Sequence, residues 1–323
     1  MLAASDKFHS NDLPRIAITI GDAAGIGPEI VAKSLADASI GKICRPIVVG
    51  DASVITVSDD IEFVDVHALS RPVEFGRVSA DAGRASGRYI EKAVALWKEG
   101  KADAIATAPI NKASLNAGGY NFPGHTEFLA ELTGTKRFAM SFFADKLCVV
   151  LLSTHLSLTD AIMRVTKDNL VDLIRFANDQ LSGLLKRPVK IAVAGLNPHA
   201  SENGMFGSEE SEEMAPAVEY CRSELGIDVS GPYSPDTIFL RGYRGEFDGV
   251  IACYHDQATI AVKSLSFGTG VNVTLGLPLI RTSVDHGTAY DIAGKGVADE
   301  SSMKAAIKLA AQLASIKHEN ATA

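Results

Sequence analysis

Three histidines each follow a run of apolar residues along the chain. His155 comes after CVVLLST, His199 lies in GLNPHASENGMFG after IAVA, and His255 lies in CYHDQ after GVIA. Imidazole nitrogens bind zinc and other divalent metals, and a catalytic site joins about three protein ligands to an open position. The pattern predicts a catalytic divalent-metal site. Each histidine on its own also fits an ordinary loop residue.

Two further polar segments follow apolar runs: GDAAGIGPE after IAITI, and TAPINK after AIA. Ligands of open α/β sheets bind beyond the carboxyl ends of the strands, so five polar segments at such ends predict one cleft. GDAAGIGPE has no GK[ST] sequence, and its glycines do not fit GxGxxG. Nucleotide binding therefore does not follow from this loop alone.

The elements that would position these segments are short β-branched strands alternating with longer helices. The predicted strands are Ile16 to Ile20, one around Ile47, Ala104 to Thr107, Cys148 to Leu152, Ile191 to Ala194 and Gly249 to Cys253. The predicted helices are Pro28 to Ala36, Ala82 to Glu99, and the amphipathic Lys167 to Leu185. This alternation predicts an α/β fold with a largely parallel sheet covered on both faces.

Composition excludes several classes of protein. Of the 323 residues 46% are hydrophobic, which is too many for intrinsic disorder. The net charge of -8 disfavours nucleic-acid or anionic-membrane partners, and no apolar stretch approaches the ~20 residues of a spanning helix. Four scattered cysteines without a CxxC pair predict buried free thiols and a cytoplasmic location. Residues 1–13 are predicted to form a flexible tail.

The polar segments carry a family resemblance when they are taken in order. The segments are GDAAGIGPE, TAPINK, FPGHTEFLAELTG, NPHASENGMFG, YHDQ and GVNVTLGLPLIRTSVDHGTAYDIAGKGVAD. Together they resemble the 4-hydroxythreonine-4-phosphate dehydrogenase family of vitamin B6 biosynthesis and its paralogues, from about Ile16 to the final helix. The stretch that begins at His286 also resembles the adenosine-binding loop of isopropylmalate and isocitrate dehydrogenases, which bind NAD without a GxGxxG sequence.

The resemblance implies two interleaved α/β/α domains with a cleft between them. One domain would span 14–110 and 275–323, with a cofactor loop at 281–296, and the other would span 111–274 and carry the metal site and the dimer interface. The family is homodimeric, and its active site is shared between the subunits.

The resemblance also assigns roles to individual residues. The metal ligands would be His155, His199 and His255. The substrate contacts would be His125, Thr126, Lys263, Asn272 and Arg281, and the cofactor contacts would be His286, Gly287 and Asp291. Asp236 and Asp256 match acidic residues near the family's site. One departure is Ala23, where many members have proline. Lys263 is expected on a buried side, because the apolar run IAV precedes it.

The implied chemistry is oxidation of a secondary alcohol by NAD, followed by loss of carbon dioxide. A divalent ion (zinc, magnesium or cobalt) would polarise the reacting oxygens, and the cationic residues would hold a phosphate or carboxylate. Asp236, Asp256, Lys263 and a metal-bound hydroxide all remain open as the general base. NAD is preferred to NADP, because Lys295 is the one basic residue in the cofactor loop placed for a 2′-phosphate.

Three functions are compatible with these residues. The first is conversion of 4-phosphooxy-L-threonine to 3-amino-2-oxopropyl phosphate. The second is oxidation of 4-phospho-D-threonate or 4-phospho-D-erythronate to dihydroxyacetone phosphate. The aromatic dihydrodiol branch of the family is disfavoured, because His125 and Thr126 are retained. The third is a non-catalytic protein that binds NAD or a metabolite, which the complete set of matched site residues disfavours.

Overall fold

The computed structural model describes residues 13–266 and 268–319. The chain divides into two compact units. Among the described residues, the first unit comprises 13–138 and 277–319, and the second comprises 139–266 and 268–276. The predicted boundaries differ from these, since residues 111–138 belong to the first unit. Apart from Leu13, the tail predicted over residues 1–13 lies outside the described residues.

The described elements alternate along most of the chain. The strands are β1 (Arg15–Thr19), β2 (Arg45–Gly50), β3 (Glu62–Asp65), β4 (Ala104–Thr107), β5 (Ala139–Ala144), β6 (Leu147–Leu151), β7 (Ile191–Ala194), β8 (Val229–Tyr233), β9 (Gly249–Ala252), β10 (Val271–Leu275) and β11 (Ile280–Ser283). The α-helices are α1 (Gly27–Leu35), α2 (Ala80–Lys98), α3 (Lys112–Ala117), α4 (His125–Thr133), α5 (Leu158–Ile162), α6 (Lys167–Leu185), α7 (Ala215–Ser223), α8 (Pro235–Tyr243), α9 (His255–Ser266) and α10 (Ser301–Glu319). A short 3₁₀ turn lies at Ile40–Lys42, a turn of left-handed backbone lies within Pro198–Glu202, and a π-helical turn lies at Glu210–Met214.

These elements confirm the α/β fold. The bounds of β4, β7 and α6 agree with the prediction, and the other predicted elements are shifted by one or two residues. The start of α6 has a local cause: the side chain of Thr166 accepts a hydrogen bond from the backbone N–H of Asn169. This contact satisfies one of the donors that the first turn of a helix leaves unpaired.

In the first unit, five strands lie in the order β3-β2-β1-β4-β11, and every pair is parallel. Helices α2 and α10 pack against this sheet, and α3 and α4 pack against α2. That packing is the reason residues 111–138 belong to the first unit. Because the strands are parallel, GDAAGIGPE and TAPINK leave the same edge of the sheet, after the adjacent strands β1 and β4.

In the second unit, the strand order is β10-β5-β6-β9-β7-β8. Strands β6, β9, β7 and β8 are parallel, whereas β5 is antiparallel to both β10 and β6. A two-residue hairpin joins β5 to β6, and Asp145 within it has a φ of 51°. The predicted alternation of strands and helices does not anticipate this hairpin. The three histidine-bearing segments follow β6, β7 and β9, which are neighbours in the parallel part of the sheet.

The four cysteines are free and buried, as predicted. None of the described helices is long and apolar enough to span a bilayer.

Candidate functional site

Two of the predicted metal ligands lie close together in the second unit. His155 follows β6, and His255 is the first residue of α9, which follows β9. Because β6 and β9 are paired in parallel, the two imidazole rings come within 5.7 Å, measured between centroids. Both rings line a cavity of about 310 Å³, together with Tyr254 and Asp256.

Asp256 fixes the orientation of His255. The Nδ1 of His255 lies 2.7 Å from the Asp256 carboxylate oxygen. An ionised carboxylate can only accept a hydrogen bond, so the ring proton lies on Nδ1 and the Nε2 lone pair points away from Asp256. A histidine that donates Nδ1–H to a carboxylate is a common arrangement in metal sites, because it fixes the ring and raises the basicity of the ligating nitrogen.

His199 lies in an unusual backbone turn after β7. The five consecutive residues 199–203 all have positive φ, from 44° to 65°, and none of them is glycine. Left-handed backbone costs an L-residue roughly 1–2 kcal/mol, so surrounding contacts must stabilise this turn. The chain that leads into the turn is held by the carboxylate of Glu210, which is 3% exposed. It accepts hydrogen bonds from the backbone N–H groups of Leu196 and Asn197 and from the side-chain amide of Asn197, at 2.7–2.9 Å.

The single chain does not bring all three predicted histidines within common ligand distance. Within 13–266 and 268–319, one group of three side chains can place ligand atoms within 4.8 Å of one another, and it consists of Asp51, Asp65 and His67 in the first unit. The carboxylate of Asp51 already accepts hydrogen bonds from the backbone N–H groups of Ala68 and Leu69 and from the Tyr89 hydroxyl. These three donors take up most of the roughly four lone-pair positions of the Asp51 carboxylate.

The first unit holds a buried cation among predicted substrate residues. Arg281, on β11, is 3% exposed, and its Nε and Nη2 donate to the Thr107 hydroxyl at 3.2 and 2.9 Å. Thr107 is the first residue of TAPINK, so the strand pair β4 and β11 fixes the guanidinium. Burial lowers the pKa of Arg281 to about 9, and the carboxylate of Glu127 opposes that shift.

His125 begins α4 near this cation. Burial lowers the pKa of His125 well below its usual value, and the charge of Arg281 lowers it further. The Nε2 of His125 is buried without a hydrogen-bond partner. A buried polar atom that lacks a partner costs free energy, so this nitrogen is suited to a ligand atom. The buried guanidinium, the unpaired imidazole nitrogen and the N-terminus of α4 together favour an anion.

The predicted cofactor loop is held tightly within the first unit. The backbone N–H of Ile26 donates to the Thr288 carbonyl at 3.0 Å. The hydroxyl of Tyr290 donates to the carboxylate of Asp22 at 2.8 Å. A Cβ atom added to Gly25 would lie 2.8 Å from the Thr288 side chain, so only glycine permits this close approach. The loop is thus anchored to the segment GDAAGIGPE.

The predicted cofactor contacts themselves face outward. His286 is half-buried, and Gly287 and Asp291 are exposed. The Nδ1 of His286 donates to the carbonyl of Gly287 at 2.9 Å. This loop therefore offers its side chains to a ligand while its backbone is fixed.

Thr126 is half-buried next to His125 on α4 of the first unit, and the other predicted residues belong to the second unit. Asn272 is half-buried on β10, and Asp236 is exposed in the first turn of α8, where it accepts a hydrogen bond from the Ser234 hydroxyl. The expectation that Lys263 lies on a buried side is wrong, since the residue is exposed. The run IAV before it belongs to a helix rather than a strand, and Ile260, one turn earlier on the same side of α9, is 67% exposed.

Comparisons with known proteins show the family of this chain. A family model described as "Pyridoxal phosphate biosynthetic protein PdxA" matches residues 21–310. The chain belongs to the PdxA family. Among its relatives, a D-threonate 4-phosphate dehydrogenase of Cupriavidus necator is 47% identical over 94% of this chain and 98% of the relative. A 4-hydroxythreonine-4-phosphate dehydrogenase of Geobacter metallireducens is 44% identical over 95% and 97% of the two chains.

The fold agrees with a solved PdxA-family structure as well. The 4-hydroxythreonine-4-phosphate dehydrogenase of Klebsiella pneumoniae has a TM-score of 0.84 to this chain at 42% identity, covering 93% of this chain and 99% of the other. The relatives are named as dehydrogenases, so the PdxA family is one of oxidoreductases that act on CH–OH groups.

Several residues that support the site were not predicted from the sequence. They are Thr107, Glu210, Gln257 and the pair Asp22 and Tyr290. All five lie inside segments that resemble the PdxA family or directly beside one. Their location in or beside these segments marks the five residues as part of the site. The sequence does not distinguish side chains that bond to the backbone from those that face a ligand.

Proposed function

We propose that this protein catalyses the NAD-dependent and divalent-metal-dependent oxidation of 4-phosphooxy-L-threonine, followed by decarboxylation to 3-amino-2-oxopropyl phosphate. The observation that carries the proposal is the buried Arg281 next to the unpaired Nε2 of His125, within a chain of the PdxA family. This pair is suited to an anionic substrate, and the relatives act on phosphorylated hydroxy acids by name.

The first unit would bind the anionic end of the substrate. The Arg281 guanidinium would bind two oxygens at once, since its planar fork matches phosphate and carboxylate. Thr107 holds that fork in place through the guanidinium N–H groups. His125 is neutral at physiological pH, because burial and Arg281 lower its pKa, so its Nε2 would hydrogen-bond the substrate without adding charge. Thr126, Lys263 and Asn272 would supply further polar contacts.

His155, His199 and His255 would hold the divalent ion. The adjacent rings of His155 and His255 and the Asp256 contact that directs Nε2 of His255 fit such a role. When bound, the ion would lower the pKa of the substrate hydroxyl and stabilise negative charge as the carboxyl group leaves. Imidazole ligands suit zinc and cobalt, whereas magnesium would need oxygen ligands from carboxylates, water or the substrate in addition. A His199→Ala variant that keeps stoichiometric metal and full activity would contradict the assignment.

A homodimer would complete the metal site. The segments that carry His155 and His199 also carry exposed large apolar side chains: Leu156, Leu158, Met163, Met205 and Phe206. Contiguous exposed apolar residues mark contact surfaces, so a second copy of this chain is their proposed partner. Sedimentation velocity should show a dimer, and full specific activity in a preparation shown to be monomeric would contradict the shared site.

NAD is the proposed cofactor, held at its adenosine end by His286, Gly287 and Asp291. Besides the buried Arg281, the exposed Lys295 is the one lysine or arginine of this loop, so the 2′-phosphate of NADP would find little charge compensation. Initial rates with NAD and NADP at equal concentrations test the preference. Asp236 or Lys263 would act as the general base, whereas the hydrogen bond between Asp256 and His255 suits an orienting role for Asp256.

One observation favours a second substrate. The Cupriavidus necator relative, at 47% identity, is named for D-threonate 4-phosphate. That substrate, or 4-phospho-D-erythronate, would give dihydroxyacetone phosphate through the same oxidation and decarboxylation. NADH production from 4-phosphooxy-L-threonine, 4-phospho-D-threonate and 4-phospho-D-erythronate, measured side by side, decides by the ratio of kcat/KM values. Absence of turnover with all three would contradict both substrates.

A further inference from the structure

One side chain that the proposed chemistry does not use joins the ends of two histidine-bearing strands. Gln257 lies in the first turn of α9, two residues after His255. Its Oε1 accepts a hydrogen bond from the backbone N–H of Cys253 at 2.7 Å, and its Nε2 donates to the carbonyl of Gly195 at 2.8 Å. Cys253 directly follows β9, and Gly195 directly follows β7.

These two hydrogen bonds lie where the sheet ends. The backbone pairing of β7 with β9 runs from Ile191 and Gly249 to Val193 and Ile251. Beyond that register one strand enters the left-handed turn with His199, and the other enters α9 with His255. The amide of Gln257 thus connects the two segments after their ladder has stopped.

A third strand end is attached to the same point. The hydroxyl of Ser153 donates to the carbonyl of Cys253 at 3.0 Å, two residues before His155. The N–H and the C=O of Cys253 are therefore both bonded to side chains from the histidine-bearing segments. Two members of this set reach the end of β7: Gln257 through the Gly195 carbonyl, and the Cys253 thiol through the Ala194 carbonyl at 3.5 Å.

The two hydrogen bonds of Gln257 have different structural roles. The bond from the Cys253 N–H to Oε1 resembles helix capping, in which a glutamine in the first turn bonds back to an unpaired N–H group. The bond from Nε2 to Gly195 has no such function, because it leads to another strand. A capping residue needs an acceptor only, whereas this site uses the donor as well.

We propose that Gln257 is a positioning residue that fixes the His199 and His255 segments relative to each other for binding of the divalent metal. The inference rests on the proposed role of the three histidines as ligands. Residues that orient metal ligands through hydrogen bonds typically raise the metal affinity 10–100-fold. The left-handed turn at residues 199–203 needs such a connection, because a strained backbone keeps its conformation only when neighbouring contacts hold it.

The test is the metal affinity of full-length Gln257→Glu. A glutamate keeps the acceptor for Cys253 and loses the donor to Gly195 at neutral pH, so capping persists and the hydrogen bond from residue 257 to Gly195 does not. Its added negative charge by itself would strengthen cation binding, so weaker binding cannot result from charge. Metal-free protein is titrated with cobalt(II) at pH 7.5, followed by visible absorption and calorimetry.

We expect the dissociation constant for cobalt(II) to rise about 10–100-fold in Gln257→Glu. The control Gln180→Glu makes the same change of charge on α6 and should stay within about twofold of the parent. A wild-type affinity and spectrum in Gln257→Glu would overturn the inference. If that variant does not fold, Gln257→Met, which keeps the length of the side chain and removes both bonds, is judged by the same criterion.

A reference variant separates this inference from the proposed metal site. His199→Ala should lose stoichiometric cobalt(II). If His199→Ala loses the metal and both Gln257 variants bind it normally, the positioning role is wrong and the metal site stands. If His199→Ala binds cobalt(II) as the parent does, the proposed metal site is wrong. A role of Gln257 in stability alone would lower the melting temperature without raising the dissociation constant.

Discussion

Replacing Tyr290 with phenylalanine tests how the cofactor loop is anchored. The Tyr290 hydroxyl donates to the carboxylate of Asp22, a fully buried group that otherwise accepts from the backbone N–H of Ala24 at 2.8 Å. Phenylalanine has nearly the same shape, so the substitution removes little packing. It removes the 3.0 Å hydrogen bond between the Tyr290 and Ser114 hydroxyls and the charge-assisted hydrogen bond to Asp22. Such a bond contributes about 1.5–3 kcal/mol. We therefore expect Tyr290→Phe to lower the free energy of unfolding by about 2 kcal/mol at pH 8.

The pH dependence provides a second, independent signature. Burial raises the pKa of Asp22, and the Tyr290 hydrogen bond opposes that rise. The ionised carboxylate therefore destabilises the fold at high pH, and this cost disappears as the pH falls through the folded-state pKa and the group takes up a proton. Without Tyr290 the pKa rises further. The deficit of Tyr290→Phe should thus be greatest at pH 8 and should narrow on acidification.

Urea denaturation of the parent and Tyr290→Phe at several pH values measures both effects. Tyr220→Phe, which removes an exposed hydroxyl on α7, is the matched control. In an Asp22→Asn background the effect of Tyr290→Phe should shrink, since no charge remains to stabilise. A loss below about 0.5 kcal/mol at pH 8, or an equal loss at every pH, would refute the reasoning. The proposed cofactor role further predicts a higher KM for NAD with a smaller change in kcat.

Three further predictions concern other buried groups. Burial lowers the pKa of His125 in the folded chain, so on acidification the unfolded chain takes up this proton first. Below pH 6.5 this difference should lower the free energy of unfolding by up to about 1.4 kcal/mol per pH unit. In urea titrations His125→Gln should therefore lose stability less steeply on acidification than the parent, and parallel curves would contradict this. Gly25→Ala should lower the free energy of unfolding by roughly 1–3 kcal/mol, because its Cβ would lie 2.9 Å from the Thr288 carbonyl oxygen. The control Gly41→Ala, whose Cβ meets no atom within 4 Å, should leave the free energy of unfolding nearly unchanged. Burial raises the pKa of Cys253 to about 12 and that of Cys221 to about 11. A thiol reagent at pH 8 should therefore modify the four buried cysteines only after denaturation. Rapid labelling of the native protein would contradict this, because it would show that the thiols are accessible.

The sequence predicts the main-chain elements well where hydrophobic periodicity is strong. Helix α6 carries apolar residues at helical spacing and a threonine cap, and its bounds follow from those residues. The hairpin of β5 and β6 was missed because its two-residue turn, Asp145 and Lys146, interrupts an otherwise apolar run without a glycine. Local pattern cannot reveal a strand pairing that depends on which segment folds alongside.

The sequence likewise predicts some features of the candidate site and misses others. The placement of His155 and His255 at adjacent strand ends follows from parallel pairing, which the alternation of elements predicts. The exposure of Lys263 was missed, because an apolar run does not distinguish a buried strand from the outward side of a helix. The contacts of Gln257 and Glu210 to backbone groups could not be predicted, since any backbone N–H or C=O is a suitable partner and only the folded chain selects one.

The left-handed turn at residues 199–203 limits how this protein can be stabilised by design. Glycine at Ala200 or Asn203 would relieve roughly 1 kcal/mol of backbone strain, yet glycine also loses about as much conformational entropy on folding. The two contributions nearly cancel, so a screen by melting temperature would score these substitutions as harmless. The added freedom would instead spread the positions of the His199 ring. Variants of this loop are therefore better ranked by ligand affinity than by thermal stability.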